Sequence, residues 1–127
     1  MGRKQSLEAN DEPKHPTKQE NGVFDVAKLA KFDGTNSSQL IFIGIKDKVY
    51  DVSHMRQFYG KDAPYGCFAG KDATIALAKN SLTTEFIPKP GAKIYDLSVL
   101  DESETKALDD WAVFFDRKYE VVGTLKY

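Results

Sequence analysis

The chain has 127 residues, 41% of them hydrophobic and 29% charged, with a formal net charge of −1. That length suits one domain with a single core, and the charge gives nucleic acid nothing to be drawn to. One cysteine (Cys67) and two histidines (His15 and His54) exclude an internal disulfide, a cysteine-rich zinc or iron–sulfur site, and a histidine zinc site without several carboxylates.

Residues 1–20 contain Pro13 and Pro16, few apolar side chains, and four bases against four acids. They read as a disordered tail ahead of a domain over 21–127. Met1-Gly2-Arg3-Lys4-Gln5-Ser6 fits a myristoylation pattern formally, but Arg3 directly after Gly2 favours a free tail. No apolar run approaches the roughly twenty residues that cross a bilayer, and no apolar leader core is present.

Residues 24–32, FDVAKLAKF, predict a short helix with Phe24, Ala27 and Leu29 on one side and Lys28 and Lys31 outside. Asp33-Gly34-Thr35-Asn36 ends it. Residues 40–45, LIFIGI, predict a buried strand. Lys46-Asp47 turns the chain, and Lys48-Val49-Tyr50-Asp51-Val52 returns as its partner. Ser53 is expected to cap a helical turn over 54–58.

Residues 57–78, QFYGKDAPYGCFAGKDATIALA, organise the rest. The first fourteen hold Gly60, Pro64, Gly66 and Gly70 beside Phe58, Tyr59, Tyr65 and Phe68. Glycine lets the backbone turn or approach a flat object, and the aromatics supply flat apolar faces. Such a loop suits a wall against a planar ligand; a loop that only caps the core fits the same composition. Residues 72–79 predict a helix with Ala73, Ala76 and Leu77 on one side. Pro88, Pro90 and Gly91 mark 81–95 as loop.

The last helix is the clearest element. Leu108, Trp111, Ala112, Phe115 and Tyr119 recur at helical spacing. Asp101, Glu102 and Glu104 suit its positive end, and Arg117 and Lys118 its negative end. Residues 121–125 predict a closing strand.

Three pieces stand in one order: I-G-I-K-D-K-V-Y-D-V, then F-Y-G…P-Y-G…F-A-G-K-D-A, then W-A-V-F-F-D-R-K-Y-E-V-V-G-T-L. From about Phe24 to Leu125 the chain resembles the membrane-associated progesterone receptor family, a branch of the cytochrome-b5-like haem/steroid-binding fold. The resemblance implies an α+β class: a small mixed sheet with helices forming a ligand cleft. The family usually has glycine where Asp47 stands; aspartate tolerates the left-handed conformation better than most residues, so the hairpin can survive. Family members often carry an N-terminal membrane anchor, which these residues do not contain. The expected location is cytoplasmic, peripheral to the endoplasmic reticulum membrane.

Cytochrome-b5 carriers hold haem between two histidines, one in an H-P-G-G loop. This chain has no such loop, His54 stands too early in D-V-S-H, and His15 is in the tail. Two-histidine ligation and simple electron carriage are therefore disfavoured. Tyrosinate is a known axial ligand. By resemblance, Tyr65 in P-Y-G binds the iron of a five-coordinate ferric haem b. Tyr59 and Lys118 resemble residues that meet the propionates, and Tyr119 resembles the residue that hydrogen-bonds the ligand tyrosine.

Each role has a plainer rival. Tyr65 could fill the loop, Tyr59 and Tyr119 could be core aromatics, and Lys118 could serve the helix terminus. Cys67 reads as a buried thiol before a thiolate ligand, His54 as a remote sixth ligand, and Asp72 as a residue of the helix start. The resemblance also implies a haem-dependent homodimer, a steroid ligand, and a haem-thiolate monooxygenase of sterol synthesis as partner. No catalytic triad, paired carboxylate site or phosphate loop stands out, so no enzyme is expected. Six acids (Asp96, Asp101, Glu102, Glu104, Asp109 and Asp110) against one lysine between 96 and 110 form either a solvated face or a dock for a basic partner.

Overall fold

The computed structural model describes residues 22–35, 37, 39–89 and 97–127. Their strands are β1 (Val23–Phe24), β2 (Phe42–Ile45), β3 (Lys48–Asp51) and β4 (Glu120–Leu125). They form one sheet in the order β1-β4-β3-β2. β2 and β4 both pair antiparallel with β3, while β1 lies parallel to β4, with Val23 opposite Thr124. The helices are α1 (Val26–Leu29), α2 (Arg56–Tyr59), α3 (Thr74–Ala78) and α4 (Glu102–Lys118). A mixed sheet with helices is the expected α+β class.

All four residues of β2 are buried, because both faces of the sheet are covered. Ile41, Ile43 and Ile45 join Tyr50, Val52, Phe115 and Tyr119 on the side of α3 and α4. Leu40, Phe42 and Val49 join Phe24, Leu29, Phe32, Val122 and Leu125 on the other. This is the period-2 alternation of a strand, with apolar residues at both phases.

Several expectations need correction. The 24–32 segment is not one helix: Phe24 belongs to β1, and α1 starts after Asp25, whose carboxylate accepts from the Lys28 N–H at 2.7 Å. Its buried side is Val26 and Leu29, while Ala27 is exposed. In the β2–β3 turn, the left-handed residue is Lys46 (φ +58), not Asp47; the Lys46 N–H donates to the buried Thr74 Oγ1 at 2.7 Å, which holds the backbone there. Ser53 does not cap α2. Its hydroxyl donates to Asp51 Oδ1 at 2.5 Å and accepts from the Ile41 N–H at 2.8 Å.

α3 begins at Thr74, so Asp72 precedes it. The 81–95 loop contains a 3₁₀ turn, Thr84–Phe86. The tail over 1–20, Asn36, Pro90, Gly91 and Asp96 lie outside the described residues. α4 opens with a capping box: the Glu104 N–H donates to Asp101 Oδ1 at 2.7 Å, and the Asp101 N–H donates to Glu104 Oε1 at 3.0 Å. β4 starts one residue earlier than expected.

Candidate functional site

The loop after α2 is folded tightly on itself. The Tyr65 N–H donates to the Phe58 carbonyl at 2.8 Å, and the Gly66 N–H to that of Ala63 at 3.0 Å. A side chain at Gly66 would meet the Gly60 carbonyl oxygen, so the close approach requires glycine. This fold sets Phe58, Tyr59, Tyr65 and Phe68 along one side of a cavity of about 220 Å³. α3 adds Leu77 to the wall. α4 and its cap residue add Trp111, Phe115 and Tyr119, with Phe114 and Lys118 completing the lining.

All four candidate site residues, Tyr59, Tyr65, Lys118 and Tyr119, line this cavity. Their side chains stand in different surroundings. Tyr59 is only 5% exposed, and the Tyr119 hydroxyl donates to the Tyr59 hydroxyl at 3.4 Å rather than to Tyr65. Burial, and then the Tyr119 bond, push the Tyr59 phenol far above the usual tyrosine range and keep it protonated. The Tyr65 ring lies 5.9 Å from that of Tyr59 and 6.3 Å from that of Phe68. Tyr65 is half-buried, and among the described residues its hydroxyl has no hydrogen-bond partner. Lys118 is exposed, with its Nζ 5.9 Å from the Phe114 ring centroid and no carboxylate beside it among the described residues.

The other candidates fall away from the cavity. His54 is exposed and sets its ring 5.7 Å from that of Tyr119 without entering the wall. The Cys67 thiol donates to the Leu82 carbonyl at 3.2 Å, and burial pushes its pKa up, against a thiolate. Asp72 is buried on hydrogen bonds from Thr74 and from the Tyr127 hydroxyl. No cluster of three or more His, Cys, Asp or Glu that could hold a metal ion occurs among the described residues.

The acidic stretch is largely satisfied within the chain. Glu104 pairs with Lys79 at 3.2 Å, Asp109 with Lys46 at 2.9 Å and Asp110 with Lys106 at 3.3 Å, while Asp101 caps α4. That pairing weakens the field these acids present to a basic partner.

Phe114 is the lining residue that sequence reasoning missed. Adjacent helix positions differ by about 100°, so Phe115 is buried while Phe114 is 44% exposed at the rim. Two neighbouring aromatics beside a run at helical spacing were the available signal. Trp111, Phe115 and Leu77, read as core, also serve as wall.

Residues 25–95 match the family described as "Cytochrome b5-like Heme/Steroid binding domain". The chain is 44% identical over 121 residues to "Cytochrome P450 regulator dap1" of Schizosaccharomyces pombe, covering 94% of this chain and 70% of that protein. It is 33% identical over 107 residues to "Membrane-associated progesterone receptor component 2" of Homo sapiens, covering 80% of this chain and 44% of that one. This chain therefore spans less than half the length of the human relative. A solved Arabidopsis thaliana protein described as having a cytochrome b5 like fold superposes with a TM-score of 0.70 at 38% identity, covering 83% of this chain and 91% of its own. No helix among the described residues is long and apolar enough to cross a membrane. The matched span, the shared fold and the relatives place this chain in the cytochrome b5-like haem/steroid-binding family, in its membrane-associated progesterone receptor branch.

Proposed function

We propose that the cleft holds haem b, ferric and five-coordinate, with the Tyr65 oxygen as axial donor, and that the chain is a non-enzymatic adaptor or regulator of a haem-thiolate monooxygenase of sterol synthesis. The observation that carries this reading is the Tyr65 hydroxyl, which has no hydrogen-bond partner among the described residues and stands in a mainly aromatic wall. The residues suit the group. Aromatic faces suit a flat macrocycle, a phenol oxygen can lose its proton on binding a metal, and the Lys118 ammonium, without a carboxylate partner among the described residues, suits a propionate.

When bound, haem would supply a ferric centre whose positive charge favours an anionic oxygen donor. Tyr65 would give up its proton and orient the donor oxygen. Phe68 and Trp111 would exclude water from one side. The Tyr59–Tyr119 pair would stiffen the wall behind Tyr65. The proposal includes a homodimer that depends on haem.

The regulatory role draws on the name of the fission-yeast relative, and a location peripheral to a membrane on the membrane-associated name of the human one. Titration of the purified chain with haem should produce a ferric tyrosinate absorption spectrum that Tyr65→Phe loses. An unchanged spectrum in the variant would overturn the ligation. Sedimentation with and without haem tests the dimer, and equal masses would remove it.

A second reading is a steroid or other apolar ligand in the same cleft without haem. Its support is the mainly apolar lining, with Phe58, Phe68, Leu77, Phe114 and Phe115 in the wall.

A further inference from the structure

Single exposed apolar side chains are ordinary on a protein surface; several gathered at one opening are not. Phe58 is 40% exposed, Phe114 44% and Leu82 53%. They come from α2, α4 and the segment after α3, and they converge around Trp111. Phe58 and Phe114 line the aromatic cleft, Leu82 lines a neighbouring cavity, and Trp111 lines both. A shallow depression beside Phe114 adds Ala107.

The charge beside these side chains has one sign. Arg117 and Lys118 follow one turn after Phe114, within about 60° of it around the helix. Both are exposed, and neither has a carboxylate partner among the described residues. Asp110, the acid of α4 nearest this stripe, is tied to Lys106 at 3.3 Å. Asp109 and Asp116 stand about 140–160° around the helix from Phe114, bonded to Lys46 and to the Tyr50 hydroxyl. Beyond Phe58, exposed Lys61 and Asp62 offset each other.

That charge chooses among occupants. With no ligand between them, two copies meeting on this rim would set Arg117 and Lys118 of each against those of the other. A lipid surface asks for protruding apolar side chains with bases beside them, and its headgroups supply the anions that Arg117 and Lys118 lack. We infer that the rim is a membrane-docking face: Phe58, Leu82 and Phe114 enter the interface of an anionic bilayer, while Arg117 and Lys118 meet its headgroups. The inference rests on the peripheral location proposed above, gives it a face, and holds whichever ligand the cleft takes. Docked this way, the cleft mouth lies against lipid, and an apolar ligand passes between bilayer and cleft without crossing water.

The full chain is cosedimented with vesicles of phosphatidylcholine alone and of phosphatidylcholine with an equal part of phosphatidylserine. Phe58→Gln with Phe114→Gln removes two apolar tips and keeps good helix formers. Arg117→Gln with Lys118→Gln removes the bases. Val99→Gln is the control, at an exposed position ahead of α4 and roughly 20 Å along the helix from Phe114. The unfolding temperature of each variant shows that it is folded. Trp111 is the only tryptophan, and its ring lies 5.8 Å from that of Phe114. Vesicles with brominated acyl chains should therefore quench it where unbrominated ones do not.

Wild type should bind the anionic vesicles at least about tenfold more tightly than the neutral ones, because each base near an anionic surface is worth about fivefold. The Arg117/Lys118 variant should lose that preference and its sensitivity to salt. The Phe58/Phe114 variant should lose about tenfold on the anionic vesicles, and Val99→Gln should stay within about twofold of wild type. Binding that leaves Trp111 unquenched, or that is equal in wild type and both double variants, overturns this face and leaves the peripheral location standing. No vesicle binding by wild type overturns both. Binding to soluble polyglutamate in place of vesicles would make the occupant an acidic protein segment and overturn the lipid.

Discussion

The hydroxyls of Tyr59 and Tyr119 lie 3.4 Å apart in the wall of the cleft, joining the end of α2 to the cap of α4. Both side chains are almost fully buried, at 5% and 6% exposure. A buried hydroxyl left without a partner costs about 1–3 kcal/mol, so each tyrosine satisfies a need that the other creates. At 3.4 Å the bond is long, which puts its worth at the low end. Tyr59→Phe and Tyr119→Phe should each destabilise by about 1 kcal/mol, and the double variant by less than their sum. Urea unfolding of the four proteins measures the coupling; strictly additive losses would show that the two hydroxyls act independently.

Where chemistry and periodicity coincide, the site was legible. Trp111, Phe115 and Tyr119 share a helical spacing, and Tyr59 and Tyr65 stand among glycines that need a reason. Depth was not legible, because spacing along a chain does not say how far a ring sinks. Tyr59, the last residue of α2, is almost fully buried in the wall, where the Tyr119 hydroxyl meets its own. β1 was hidden for another reason: two residues are too short to show alternation, and their partners Thr124 and Leu125 lie about a hundred residues away. The left-handed Lys46 was hidden because local propensity favours Asp47, and a tertiary bond to Thr74 decides against it.

Asp72 and Asp116 should titrate with opposite effects on stability. Asp72 is 2% exposed, and burial outweighs the bonds from Thr74 and Tyr127, raising its pKa above the ordinary carboxylate value. The folded state then holds the proton more tightly than the unfolded chain, so stability rises as pH falls through the raised folded pKa toward about 3.9. Asp116 is exposed; the Tyr50 hydroxyl at 2.6 Å, and then Lys48, hold its pKa down. Its contribution is present above the ordinary carboxylate value and is lost as pH falls through the depressed one. Denaturation of wild type, Asp72→Asn and Asp116→Asn across pH checks both signs. Between about pH 7 and 4, wild type should gain stability relative to Asp72→Asn. Relative to Asp116→Asn it should hold steady in that range and lose its advantage only below it. A pH-independent gap to Asp72→Asn would mean that the buried carboxylate does not titrate.

Gly123 controls the docking of β1. A methyl group there would overlap the Gly22 carbonyl oxygen and press into the Phe24 ring, and neither can withdraw without breaking the β1–β4 pairing. Gly123→Ala should destabilise at the upper end of about 1–3 kcal/mol. It should also speed hydrogen exchange at the Thr124 amide, which donates to the Gly22 carbonyl. Val121→Ala in the same strand, 43% exposed, should stay within about 0.5 kcal/mol of wild type. Equal unfolding temperatures for the two variants would show that β1 docks loosely enough to absorb a side chain.

Lys118 separates the two ligand readings. Its ammonium lies near the Phe114 ring without a carboxylate partner among the described residues. Under the haem reading it meets a propionate at an exposed rim, a pair worth about 0–1 kcal/mol. Lys118→Gln should therefore weaken haem binding up to about fivefold, and Lys118→Glu, which sets like charges together, should weaken it further. Both losses should shrink as salt screens the pair. A neutral steroid offers no carboxylate to this side chain, so neither variant should move its affinity by more than about twofold. Titrating both variants with haem and with cholesterol, at low and high salt, tests the charge directly. Losses equal for the two ligands and indifferent to salt would make Lys118 a packing surface over Phe114 rather than a counter-ion.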